Sequence, residues 1–133
     1  MSLTQFSIRT ENRVQLINID EQLQQAISKS GVQQGLCVVF VPHTTAGVTI
    51  NENADPDVVR DLTAEINKVI PFEDNYRHAE GNSAAHIKSS LVGQSVTLII
   101  DQGRIAYGTW QSCYFCEFDG PRTRRVLVKI IEG

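Results

Sequence analysis

The chain has 133 residues, enough to bury a core of its own without disulfide support, and it reads as one domain with no second one hidden in it. Its formal charge of −3, with no basic cluster longer than Arg122, Arg124 and Arg125, excludes a broad phosphate-tracking surface, so no nucleic acid partner is expected. The opening MSLTQFSIRT has neither a basic nor an apolar signal region, and no run reaches the roughly 20 apolar residues of a membrane span. A soluble, cytoplasmic protein without membrane association is the expectation.

Thr4 to Ile19 alternates polar and apolar positions around Thr10-Glu11-Asn12, which predicts a hairpin. Asp20 is placed to cap a helix running to about Ser30, with Leu23, Ala26 and Ile27 on one face and Gly31 as the stop. LCVVFVP (36–42) reads as a buried strand and AGVTINE (46–52) as a second one, with His43 between them. The clearest helix follows: Asp55 is an N-cap residue, Pro56 takes the first turn, and Val58, Val59, Leu62, Ile66, Val69 and Ile70 recur at helical spacing until Pro71. A polar loop, FEDNYRHAEG, leads to a shorter helix over about 83–91, capped by Asn82 and closed by Gly93. Strands are expected at 95–101, 104–107, 109–118 and 122–131, the last two joined as a hairpin by Asp119-Gly120. This order predicts an α+β domain, a mostly antiparallel β-sheet with about three helices covering one face.

Candidate chemistry gathers around the three histidines, His43, His78 and His86, each beside a turn or helix start and each with a carboxylate nearby in sequence (Glu52, Asp55 or Glu80). If the fold brings them together they suit an open Zn²⁺ site, in which neutral ring nitrogens bind at roughly 2.0–2.1 Å and a fourth position stays free. No pair has the i, i+4 spacing of a helical zinc motif, and the other reading is three separate hydrogen-bonding histidines. In EFDGPRTR, Glu117, Asp119, Arg122 and Arg124 fall at one end of the expected hairpin, where forked guanidinium donors suit phosphate or carboxylate; a solvated turn with surface ion pairs explains the same letters. Gly81-Asn82-Ser83 offers a second anion site at a helix start, although a plain Asn82 N-cap accounts for it too. Trp110 reads as a core aromatic. Cys37, Cys113 and Cys116 are expected as reduced thiols, and the last two, three apart on a strand, point to opposite faces and cannot share a metal or close a disulfide.

Taken together, HTTAGVTINENADPDVVRDL, YRHAEGNSAAHIKSSLVGQSVTL and GRIAYGTWQSCYFCEFDGPRTRRV resemble the YjbQ family, an uncharacterised protein family now labelled secondary thiamine-phosphate synthase, from about Leu36 to Ile131. Ala106-Tyr107 before GTWQ, and Cys113 and Cys116, depart from its usual residues without touching a polar position. The resemblance implies a YjbQ-like α+β homotrimer with a His-rich pocket near subunit contacts. It also implies a weak activity joining hydroxymethylpyrimidine pyrophosphate to thiazole phosphate.

Carried onto this sequence, the family's polar positions are His43, Thr44, Thr45, Glu52, Asn53, Asp55, His78, Asn82, His86, Trp110, Gln111, Glu117, Asp119, Arg122 and Arg124. Catalysis is expected from His43, His78, His86, Glu52 and Glu117. Substrate binding is expected from Thr44, Thr45, Asn53, Asn82, Gln111, Asp119, Arg122 and Arg124, with a divalent metal, zinc or another, on the three histidines. The partner implied is a small phosphorylated or anionic metabolite. Two other functions compete: a metal-dependent hydrolase or lyase with Glu52 or Glu117 as general base, and a non-enzymatic metal- or metabolite-binding trimer.

Overall fold

The computed structural model describes residues 3–133. The elements are β1 (Leu3–Arg9), β2 (Gln15–Asn18), α1 (Asp20–Ser30), β3 (Gln34–Phe40), β4 (Ala46–Glu52), α2 (Pro56–Val69), α3 (Ser83–Val92), β5 (Ser95–Asp101), β6 (Arg104–Ile105), β7 (Gln111–Glu117) and β8 (Thr123–Glu132). They form one α+β domain with antiparallel pairing throughout, but in two sheets: a five-stranded one ordered β1-β8-β3-β5-β6 and a three-stranded one ordered β2-β7-β4. No helix among the described residues is long and apolar enough to cross a membrane.

The two expected hairpins do not form. β1 pairs with β8, Leu3 facing Lys129, and β2 pairs with β7, Gln15 facing Glu117, so each turn carries the chain from one sheet to the other. The two crossing segments run side by side: the Thr10 N–H donates to the Arg122 carbonyl at 2.9 Å and the Gly120 N–H to the Arg13 carbonyl at 3.0 Å. A Cβ on Gly120 would overlap the Asn12 carbonyl oxygen and stand 2.9 Å from Thr10 Oγ1, so this approach requires glycine. Turn residues mark a change of direction; the choice of partner strand is made by burial of one face, which local letters do not encode.

The helices do not share one face either. Leu23, Ala26 and Ile27 of α1 join the main core with residues from both sheets, among them Cys37, Val39, Val48, Phe115, Val126 and Val128. α2 and α3 contribute instead to a second cluster, in which Ala85, Cys116 and Phe118 pack with Leu16, Ile66, Phe72 and Val92. β7 is therefore buried on both sides from Ser112 to Glu117. Cys113 enters the first cluster and Cys116 the second, on opposite faces as expected, and burial pushes all three free thiols up into the neutral form.

Capping follows the sequence at α2, where the Asp55 carboxylate accepts from the Asp57 N–H at 2.9 Å and Pro56 is the first residue. α1 ends at Gly31, whose φ of 71° is left-handed. The other two caps differ from expectation. Asp20 is the first residue of α1 rather than its cap, and its Oδ1 accepts from the Tyr107 hydroxyl at 2.6 Å and the Cys113 N–H at 3.1 Å. Asn82 stands at the cap position of α3 without a capping bond; its Nδ2 donates to Asp119 Oδ2 at 2.9 Å.

The sheets are tied by a buried ion pair. Arg124 on β8 donates from Nε to Glu117 Oε1 at 2.9 Å and from Nη2 to Glu117 Oε2 at the end of β7, and both side chains are buried. Thr10, after β1, donates its hydroxyl to Glu117 Oε1 at 2.8 Å, and Arg124 Nη2 reaches the Thr45 carbonyl at 3.2 Å and Oγ1 at 2.8 Å, just before β4. Burial works to raise the Glu117 pKa. The bonds from Arg124, the Asp119 N–H and Thr10 outweigh it and hold the carboxyl below the usual glutamate range.

A second buried charge has no such partner. Lys88 of α3 is fully buried, and its Nζ has no hydrogen bond; it lies 3.6 Å from the centre of the Phe72 ring. The Arg13 guanidinium is also 3.6 Å from that centre. Two groups so close to one ring cannot share a face, so Phe72 is clamped between cations. Burial, and then the charge of Arg13, pull the Lys88 pKa down to about 8.

Two outcomes follow for urea unfolding. Glu117→Gln leaves Arg124 buried without its counter-charge and is expected to cost on the order of 3–5 kcal/mol. A carboxylate whose folded pKa is depressed stabilises above its unfolded value and stops doing so as pH falls through the folded one. The wild type should therefore lose stability progressively below about pH 4, and Glu117→Gln should lack that component. Lys88→Met is expected to gain on the order of 1–3 kcal/mol at pH 7, because it removes an unpaired buried ammonium and one cation–π contact. The folded lysine loses its proton near pH 8 while the unfolded one keeps it, so wild-type stability rises with pH there and the gain from Met shrinks toward pH 10. A pH-independent difference would contradict this origin.

Candidate functional site

Arg124 of the ion pair also lines a cleft. Residues 41–45 carry the chain from β3 to β4, held by the Val41 N–H donating to the Gln94 carbonyl at 2.7 Å and the Phe118 N–H to the Thr45 carbonyl at 3.1 Å. This crossing presents His43, Thr44 and Thr45. α3 faces it with His86 and, one turn on, Ser90, and Arg122 and Arg124 close the side at the start of β8. Phe40, Val41 and Pro42 form an apolar wall, Gln94 completes the lining, and the cleft encloses about 790 Å³. That is the size range of small-molecule sites.

The two arginines differ in role. Arg122 is half-exposed and donates from Nε to the Asp119 carbonyl at 2.9 Å and from Nη2 to Asp119 Oδ2 at 3.3 Å. Arg124 spends Nε and Nη2 on Glu117 and Thr45, which leaves Nη1 for the cleft it lines. The solvated-turn alternative thus describes Arg122–Asp119 but not Glu117–Arg124. Glu117 is buried with both oxygens occupied, Oε1 by Thr10 and Arg124 and Oε2 by Asp119 N–H and Arg124, so it positions Arg124 and cannot also reach for a proton.

His78 and His86 meet edge to face with ring centres 5.5 Å apart, and His78 Nε2 is 3.8 Å from Glu80 Oε2. His43 shares the cleft with His86, and its Nε2 accepts the Arg125 N–H at 3.1 Å. Burial, then the Arg124 charge, lower its pKa, which keeps the imidazole neutral at physiological pH. Among the described residues no three His, Cys, Asp or Glu side chains stand together as a ligand set. The arrangement does not fit an ion on all three histidines, because a neutral ring whose Nε2 lone pair takes a backbone N–H carries its proton on Nδ1 and has no lone pair to give.

The remaining expected site residues divide between the cleft and the far end of the strands. Thr45 faces Arg124 and Asn82 binds Asp119, but Glu52 and Gln111 pair with each other at the far end of β4 and β7, while Ala46 faces Glu117 at the near end. Six residues of strand separate the two ends, about 20 Å. Asn53 there donates its Nδ2 to the Gln111 carbonyl at 3.2 Å and Ser112 Oγ at 2.8 Å, Gln111 Oε1 accepts from the Gly108 N–H at 2.8 Å, and the Glu52 carbonyl accepts from the Tyr114 hydroxyl at 2.8 Å. These bonds close the strand ends. Asp55 is the α2 cap, and Trp110, expected in the core, is 60% exposed because β7 starts after it. Phe40, Ser90 and Gln94 line the cleft without having been singled out; the one available signal was Ser90, four residues after His86 on a helix.

Comparison with known proteins agrees with this fold. The chain is 53% identical over 129 residues to a UPF0047 protein of Methanocaldococcus jannaschii, covering 97% of this chain and 94% of that one. It is 47% identical to UPF0047 protein YugU of Bacillus subtilis over 130 residues, 97% of this chain and 98% of that one. The crystal structure of a YjbQ/UPF0047 family protein from Clostridium acetobutylicum superposes with a TM-score of 0.95 at 55% identity, covering 96% of this chain and 99% of that one. Residues 4–133 match the family described as UPF0047 protein YjbQ-like, and the chain belongs to that family.

Proposed function

We propose that the cleft binds a small phosphorylated metabolite and that the protein is a transferase of the thiamine-phosphate-synthase type with weak activity. In that reaction the ring nitrogen of thiazole phosphate bonds to the methylene carbon of hydroxymethylpyrimidine pyrophosphate as the carbon–oxygen bond breaks and pyrophosphate leaves. The observation that carries the reading is the pairing of Arg122 and the free Nη1 edge of Arg124 with the apolar Phe40–Pro42 wall. Guanidinium donors match phosphate oxygens and the charge of a departing pyrophosphate; the apolar wall suits a flat heterocycle. The chain has no Asp-rich cluster of the kind that holds Mg²⁺ on pyrophosphate, which is why the activity is proposed as weak.

A hydrolase using a carboxylate base draws less support. Both oxygens of Glu117 are occupied and Glu52 lies at the other end of its strand; Glu80, beside His78, is the carboxylate that does stand at a histidine.

Replacing both arginines would confuse binding with folding, because Arg124 is part of the inter-sheet tie. Arg122→Ala alone is the cleaner test. Calorimetric titration is expected to show thiazole phosphate bound about tenfold or more weakly, since hydrogen bonds to charged groups are lost, while the dephosphorylated alcohol binds unchanged. Equal affinity of variant and wild type for the phosphorylated ligand would remove the anion-binding reading.

Homotrimeric assembly belongs to the same reading. It is supported by apolar surface that one copy leaves uncovered: Leu62 and Val69 of α2 and Leu91 of α3 line a groove of about 550 Å³, and Ile99 and Trp110 are exposed as well. Light scattering should give three times the chain mass across dilution, and Leu62→Asp with Val69→Asp should shift it toward the monomer. A wild-type monomer at all concentrations contradicts the assembly.

A further inference from the structure

The disagreement between a three-histidine ion site and the geometry of His43 has a chemical consequence. A backbone N–H can only donate, so the Nε2 that faces Arg125 at 3.1 Å is an unprotonated acceptor. The proton of the neutral ring then sits on Nδ1, a nitrogen with no hydrogen-bond partner among the described residues and on a side chain that lines the cleft. We propose that His43 serves the cleft as a neutral hydrogen-bond donor, its Nδ1–H held in place by the Arg125 amide and offered to an anionic oxygen of the ligand, and that it is not a metal ligand.

This rests on the anion-binding reading and deepens it. Thr44 and Thr45 follow His43 on the crossing, and Arg122 and Arg124 line the same cleft, so the donor stands among other hydrogen-bond donors. Phosphate oxygens accept several donors at once. The burial and Arg124 charge that lower its pKa also disfavour an imidazolium, which would have to give up the Arg125 bond.

Nitrogen NMR of the full chain labelled at histidine nitrogens, at pH 7, tests the tautomer without any ligand. The expected result is a His43 ring with Nδ1 protonated and Nε2 of the unprotonated type, unmoved by added Zn²⁺. Inorganic phosphate should then shift the His43 Nδ1–H. His43→Gln, which keeps an acceptor toward Arg125 but offers no donor at the Nδ1 position, should bind thiazole phosphate about tenfold more weakly. His43→Asn, which restores a donor there, should recover part of that loss.

Protonation at Nε2, or a coordination shift of His43 on adding Zn²⁺, overturns the inference and leaves the anion-binding reading in place. The expected tautomer with no response to phosphate overturns the donor role together with that reading.

Discussion

The buried pair of Glu117 and Arg124 is the interaction on which both the fold and the cleft depend. It joins the end of β7 in one sheet to the start of β8 in the other, and Thr10 and Thr45 bring in the ends of β1 and β4. All four strands begin or end around one carboxylate and one guanidinium. Two charges taken out of water are expensive unless every lone pair and proton finds a partner, and here Glu117 accepts four bonds while Arg124 keeps only its Nη1 edge unspent. That remaining edge is what the cleft inherits. An apolar pair of the same volume could hold the sheets together, but it would leave no fixed positive edge in the cleft.

A second set of cations holds the segment that leads into α3. Residues 71–82 leave α2 and return as α3, and Phe72 at the start of this stretch is clamped between Arg13 and Lys88. Arg13 is also aimed at the other end of the stretch, its Nη2 lying 3.5 Å from the Gly81 carbonyl. The loop so fixed carries His78 to the edge of the His86 ring. The family's two histidines in this region are therefore joined by packing that includes an unpaired buried lysine, a costly arrangement that ordinary core residues would avoid.

Much of the local structure was legible in the letters. Asp55-Pro56 marks the start of α2 and Gly31 the end of α1, because caps and left-handed glycines are decided by the residues themselves. The alternation of β1 and the apolar run of β3 were equally plain. The sheet partners were not: Thr10-Glu11-Asn12 and Asp119-Gly120 have hairpin chemistry, yet both turns serve as crossings between sheets, a choice set by contacts more than 100 residues apart in sequence. In the site, His43, Thr45, His86 and Arg124 were found from their motifs. Motif membership does not separate these from Glu52, Asn53 and Gln111: Glu52 and Asn53 share a sequence block with His43 but stand the full length of β4 away from it, and Gln111 pairs with Glu52 at that far end. Asp20 and Asn82 do not make the expected capping bonds for a related reason: each has a partner far along the chain, although Asn82 does hold the cap position of α3.

The central claim, that the inter-sheet ion pair leaves a positively charged cleft at the β3–β4 crossing, is tested most directly by mapping backbone amide shifts while inorganic pyrophosphate is titrated into the full chain. The account predicts that the amides of Thr44, Thr45, His86 and Arg122 move together with one saturable affinity. Shifts confined to the Glu52–Gln111 end of the strands, or none that saturate, would contradict it.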